Sequence, residues 1–188
     1  MPTSFSMFFK KRMSVIGGLV SIVAITKEIM IHAPIEVCFD AARDVGLHPQ
    51  TVWPRTRERT LPGGRLEGLM EKNEIVVFEA VHFGIRQQLT SLVEELDKPY
   101  LFVDRMQKGA FRHMMHRHEF ERCEEGTLVR DILEFASPFG PAGRLFDALV
   151  LRRYMLSFIN YRQRQLKSIL ENGYATDGQR SDSSTSPR

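Results

Sequence analysis

From Asn73 to Ala136 apolar and polar residues alternate with a period of two, broken only by short turns. That pattern fits strands with one face buried and the other in water. The spacing predicts strands over Ile75–His82, 85–96, Leu101–Lys108, 112–122 and 127–136. Phe83-Gly84, Lys98-Pro99, Gly109 and Glu124-Glu125-Gly126 supply the turns between them. Strands joined this tightly run antiparallel, because a parallel return needs a crossover of about a dozen residues or more. The stretch is therefore a meander, and its apolar face needs a cover.

Residues 141–170 provide the cover. Leu145, Leu149, Leu156, Ile159, Leu166 and Leu170 step by three, four and seven residues, and Ala148, Met155 and Phe158 widen the stripe. This predicts one long helix lying on the concave face of the sheet, with a stop at Asn172-Gly173. Upstream, residues 20–31 read as a first strand. Pro34 then opens a short amphipathic helix over 34–45, with Ile35, Cys38, Phe39 and Ala42 on its buried side. Gly46 breaks it and a helical turn follows over 47–52. A Pro- and Gly-punctuated region comes next, with a short strand expected over 55–60.

With 188 residues, 43% of them hydrophobic, the chain is one ordinary domain with spare residues at both ends. It is too short for a TIM barrel, a kinase or a two-domain dehydrogenase. Residues 1–19 read as an extension and 20–172 as the domain. Residues 173–188 have almost nothing to bury and read as a disordered tail. Lys10-Lys11-Arg12 and the apolar stretch after it imitate a signal peptide. No small-x-small cleavage site precedes Lys27-Glu28, however, and the stretch falls short of the roughly 20 apolar residues a bilayer span needs. Two cysteines, Cys38 and Cys123, are too few for a disulfide framework and fit a cytoplasmic location. The net charge of +3 is weak evidence for nucleic acid, and Arg55, Arg57 and Arg59 lack stacking aromatics, so nucleic acid is not an expected partner.

The element order is strand, two short helices, a run of strands and one long terminal helix. Several motifs fit that order: Ile29-x-Ile31-x-Ala33-Pro34-Ile35-Glu36-x-Cys38-Phe39-Asp40, Phe78 to Gly84, Pro99-Tyr100-x-Phe102-x-Asp104 and His116-x-His118-x-Phe120-Glu121. Gly126-Thr127, Asp131, Pro138-x-Gly140 and Tyr154-Met155 complete them. Over roughly residues 25–171 the chain resembles the START-like superfamily, which includes the polyketide cyclases, coenzyme-Q-binding proteins and birch-pollen-type allergens. The resemblance implies an α+β helix-grip fold, in which a curved antiparallel sheet wraps around one long C-terminal helix. It also implies a cavity for a hydrophobic or aromatic small molecule (lipid-, quinone- or polyketide-like). Some relatives add cyclase or dehydratase chemistry there, and others act as interaction proteins in cell division or the envelope.

Alternation predicts which side chains face such a cavity. Met114, His116, His118 and Phe120 share one face of their strand, opposite Arg117, Glu119 and Glu121. Arg130 and Glu134 mark the outer face of the next strand and leave Asp131, Leu133 and Phe135 inside. A two-residue loop at Glu124-Glu125 sets Asp131 opposite His118. Asp104, beside Phe102 on the preceding strand, approaches His116, and His82 lies in line with Phe78. Met155 and Ile159 face the cavity from the helix, and Arg152 is placed to point a guanidinium at its mouth. Inward polar groups of this kind more often form a hydrogen-bonded network than a catalytic set. The alternative is proton transfer by His118, Asp131 and His116. His116-x-His118 can place two nitrogens on one metal, but no third ligand stands at a diagnostic spacing, so neither metal nor cofactor is expected. The cations of the long helix read as a solvated face, with transient contact to an anionic membrane as the sharper alternative. Oligomeric state is not legible.

Overall fold

Burial along the last two strands follows the alternation residue by residue. In β6 (His113–Cys123) Met114, His116, His118 and Phe120 are buried, and their neighbours are half-exposed. In β7 (Gly126–Ala136) the buried set is Thr127, Val129, Asp131, Leu133, Phe135 and Ala136. The computed structural model describes residues 22–182, with side chains as far as Gly173. The expected extension over 1–19, with its resemblance to a signal peptide, lies outside the described residues, as does the end of the expected tail over 183–188. No helix among the described residues is long and apolar enough to cross a membrane.

Seven strands make one antiparallel sheet in the order β1-β7-β6-β5-β4-β3-β2. The remaining strands are β1 (Val23–Ile31), β2 (Arg59–Leu61), β3 (Ile75–His82), β4 (Ile85–Asp97) and β5 (Leu101–Lys108). The meander runs unbroken from β3 to β7, and the first strand closes it by pairing with the last, from Val23 opposite Phe135 to Ile31 opposite Thr127. Register shifts interrupt the β4–β5 ladder between Thr90 and Ser91 and between Val93 and Glu95. Irregularities of this kind bend a strand and add twist, and so let a flat ladder curl around a helix. Two short helices, α1 (Ile35–Arg43) and α2 (His48–Thr51), fill the connection after β1.

Two local expectations need correction. The strand expected over 55–60 is instead a 3-10 turn over Pro54–Thr56, followed by the three-residue β2. Pro54 favours the helical start, and Arg57 takes φ +48°, a conformation that no strand contains. The terminal helix also does not stop at Asn172-Gly173. It consists of α3 (Gly140–Phe146), a π turn over Asp147–Leu151 and α4 (Arg152–Asp182). Gly173 is not among the glycines with positive φ, so it does not form the left-handed cap that would end the helix.

The π turn also corrects the apolar stripe. Its wider turn rotates everything before it relative to α4. The face that carries Phe158, Ile159, Leu166 and Leu170 continues back through Leu151 to Asp147 and Gly143. Leu145 and Leu149, which a regular helix would bury, are 62% and 56% exposed. Asp147 is buried and accepts hydrogen bonds from the backbone N–H of Ser137, at 2.9 Å, and from the Ser137 hydroxyl, tying the helix start to the end of β7. Under the far part of α4 the core is solid: Leu166 and Leu170 join Ile31, Ile35, Cys38, Phe39, Phe102 and Phe120. The Phe39 ring meets Phe102 and Phe120 edge-on.

The hairpin glycine is a sharp test of this geometry. Gly126 has φ +142°, and a Cβ there would stand 2.2 Å from the carbonyl oxygen of Ile31. Gly84, at φ +77°, has open space around its Cβ position. Gly126→Ala is expected to lose about 2–3 kcal/mol or more, and Gly84→Asn less than about 1 kcal/mol. Urea unfolding of the two variants side by side measures the difference.

Candidate functional site

Sheet and helix do not close on each other everywhere. Under the first turns of α4 a cavity of about 510 Å³ remains, and Phe78, Phe102, Met114, Leu133, Met155 and Ile159 line it. These are six of the eight apolar positions that strand alternation and helix spacing pointed inward. The other two, Phe120 and Phe135, face inward but lie away from the cavity. Phe120 belongs to the packed cluster around Phe39, and Phe135 packs against Phe111. Alternation selects a face of the sheet, and it carries no information about which part of that face the helix covers.

One wall of the cavity holds the expected polar residues. His118 lies between two carboxylates: its Nδ1 is 2.6 Å from Asp131 Oδ1, and its Nε2 is 3.3 Å from Asp104 Oδ2. Ser91 donates to Asp104 Oδ1 at 2.8 Å, and Gln163, from α4, donates to Asp131 Oδ2 at 2.6 Å. His116 Nε2 lies 3.1 Å from Asp131 Oδ1, at an angle that makes no hydrogen bond, so this nitrogen is buried without one. The backbone register sets Asp131 opposite His118, as expected, and Asp104 opposite His116. The Asp104 carboxylate nevertheless hydrogen-bonds His118, a diagonal contact within the reach of long side chains. Asp104, His116 and His118 line the cavity, whereas Asp131 is sealed behind them.

Burial opposes charge on all four groups, and on three of them the partners outweigh it. Burial alone would depress the His118 pKa, but Asp131 and Asp104 more than offset it and leave it raised. Burial likewise works against the Asp104 carboxylate, yet the hydrogen bond from His118 and the nearby imidazoles bring its pKa down to about 2. Asp131 is held well below the usual carboxylate range, against its burial, by the charge of His118 and by contacts with both histidines. His116 goes the other way: burial first, and the charge of His118 second, lower it to about 4. The wall thus carries a His118 with both nitrogens engaged and a raised pKa beside a His116 whose pKa is depressed.

A second polar group faces the same cavity. His48 Nε2 contacts Glu58 Oε1 at 2.7 Å, and the His48 ring stacks on Phe78. His82 Nδ1 lies 2.8 Å from the Tyr154 hydroxyl. Arg162 lines the cavity and donates a long 3.4 Å bond to the Ala42 carbonyl. Of these five residues, the sequence pointed only to His82 as a site residue. Arg162 was discoverable, since it follows Met155 by seven positions and Ile159 by three. Glu58 was hidden by the misread strand. Arg152, expected at the cavity mouth, is exposed and does not line the cavity, because it sits one position past the buried Leu151. The guanidinium at the cavity is that of Arg162.

No protein-family model matches the chain, and no curated protein matches it significantly in sequence. Solved structures do match. TTHA0849 from Thermus thermophilus superposes with a TM-score of 0.63 at 17% identity, covering 80% of this chain and 99% of that one. Ara h 8.0201 gives 0.59 at 13% identity, with 81% and 99% covered. The ginseng major latex-like protein 151 from Panax ginseng gives 0.56 at 11% identity, with 79% and 97% covered. At these identities the likeness is one of fold, and the fold is the helix grip.

The two histidines generate opposite pH dependences. An imidazole with a raised pKa contributes stability that is complete below its unfolded value and is lost as pH rises through the folded one, as for His118. His116 is depressed from about 6.5 to about 4, so between those values the unfolded chain binds a proton that the folded chain refuses. Stability therefore falls as pH drops through that interval, by on the order of 3 kcal/mol. Urea unfolding at pH 6.5 and pH 4 should show the His116→Leu variant losing less stability than the wild type by about that amount. Equal losses would place a proton on His116 in the folded state.

Proposed function

We propose that the protein binds a hydrophobic small molecule between sheet and helix, and that the polar walls orient its oxygen or nitrogen groups. The observation behind this reading is the cavity of about 510 Å³, which lies within the range for small-molecule sites. Its lining is mostly apolar, with two hydrogen-bonding groups at defined places. The reading goes beyond the likeness to solved structures, which is one of fold. Binding is favoured over proton transfer by His118 because both nitrogens of that ring are already engaged with carboxylates. A proton-transfer role would pass to the neutral His116.

Leu133 and Met155 approach the cavity from opposite sides, one on β7 and one on α4. Leu133→Trp and Met155→Trp should fill it and weaken binding of an apolar fluorescent probe at least tenfold, ~1.4 kcal/mol. Native mass spectrometry of the freshly purified wild type should show a co-purifying molecule that both variants lack. Probe binding unchanged in both tryptophan variants would sink the proposal.

The mouth of this cavity supports loading from a membrane surface. Phe83, Ile85, Phe139, Phe146 and Val150 line the cavity and are also exposed, Phe139 by 74%. Leu145 and Leu149 extend this apolar surface, and Arg144, Arg152 and Arg153 are exposed on the same helical run. Apolar side chains flanked by cations match the interface of an anionic bilayer. The protein should co-sediment with phosphatidylglycerol vesicles more than with phosphatidylcholine vesicles. Phe139→Ser with Leu149→Ser should lower the bound fraction several-fold. Binding that neither the lipid charge nor the double variant changes would exclude this surface.

A further inference from the structure

The sequence places no third metal ligand at a diagnostic spacing from His116 and His118, but the neighbouring strand supplies one. Asp104 stands on β5, opposite His116. One of its carboxylate oxygens and one ring nitrogen of each histidine lie within 4.8 Å of one another. Asp104 Oδ2 and His118 Nε2 are 3.3 Å apart. Two ligands, each about 2.1 Å from a tetrahedral zinc ion, would be separated by roughly 3.4 Å.

The surroundings are arranged as metal sites are. The other ring nitrogen of His118 is held by Asp131 at 2.6 Å, and Asp131 is held in turn by Gln163. A carboxylate behind a histidine fixes its tautomer and raises its basicity as a ligand. Ser91 takes Asp104 Oδ1, which leaves Oδ2 turned toward His118. His116 is only 6% exposed, and its Nε2, although 3.1 Å from Asp131 Oδ1, makes no hydrogen bond of good geometry.

We infer that Asp104, His116 and His118 form a binding site for a divalent transition-metal ion, with Asp131 and Gln163 behind it. Two imidazoles and one carboxylate, with no thiolate, suit zinc or a neighbouring first-row ion better than calcium or magnesium, which prefer all-oxygen shells. All three ligands line the cavity, so an open coordination position faces the space for a bound molecule. Given the ligand-binding reading above, on which this rests, such an ion would select an oxygen donor on that molecule.

The test is to titrate untagged, metal-free, full-length protein with Co²⁺ and then with Zn²⁺ as competitor. One Co²⁺ per chain should bind, with the visible absorption of a four- or five-coordinate ion, and Zn²⁺ should displace it. His116→Ala and Asp104→Ala should abolish the signal, as should the shape-conserving His116→Gln and Asp104→Asn. Asp131→Asn should weaken binding about 10–100-fold, while His32→Gln, at an exposed position outside the cavity, should leave it unchanged. Absence of saturable Co²⁺ binding by the wild type overturns the inference whether or not any variant folds. So does wild-type affinity in a folded His116→Ala protein. Binding of the apolar probe is read on the same samples. Probe binding without Co²⁺ binding overturns the metal site alone, and Co²⁺ binding without probe binding overturns the cavity reading alone.

Discussion

One buried carboxylate connects most of the fold. Asp131, 5% exposed, meets His118 and His116 on the adjacent strand and Gln163 on the terminal helix. The same Gln163 amide also donates to the Lys27 carbonyl at 3.1 Å, so β1, β6, β7 and α4 all converge there. An unpaired carboxylate at this depth would cost several kcal/mol, and the two imidazoles and an amide that face it favour its ionised form. This contact marks a boundary along the helix. Beyond it Leu166 and Leu170 pack solidly, and before it Ile159 and Met155 look into open space. A polar contact at such a point fixes helix position without filling the volume, which is how a cavity coexists with a rigid frame.

The π turn has a comparable effect at the other end. By rotating the start of the helix it turns Gly143 and Asp147 inward and Leu145, Phe146, Leu149 and Val150 outward. Apolar side chains that could have covered the cavity form its rim instead. Asp147, fastened to Ser137, holds that rotation in place. Several exposed large apolar residues gathered at the opening of an apolar cavity are costly in water unless something else covers them.

How much was legible in the sequence depended on how local the information was. The faces of β6 and β7 were readable because strand geometry is strictly alternating and Arg117, Glu119, Arg130 and Glu134 mark the outer side. The pairing of Asp131 with His118 followed from a two-residue loop with no register slip. Asp104 does stand opposite His116 as expected, but its hydrogen bond goes to His118, because opposition on the backbone does not decide where long side chains meet. Arg152 and the first part of the helical stripe failed for another reason: a single wide turn shifts the phase, and residue spacing cannot reveal where that turn falls. His48 and Glu58 come from the irregular region, where Pro54 and Arg57 redirect the chain and periodicity ends.

By itself, then, the sequence determined an antiparallel meander, a long helix to cover it and the inward face of each strand, because these follow from repeating backbone geometry and the segregation of apolar from charged side chains. Tertiary structure alone decided where along that face packing gives way to a cavity. It also decided that Asp104 joins His116 and His118, and that Arg162 rather than Arg152 reaches the interior. Those outcomes depend on helix phase and sheet curvature, each of which sums many small contacts between residues far apart in the chain.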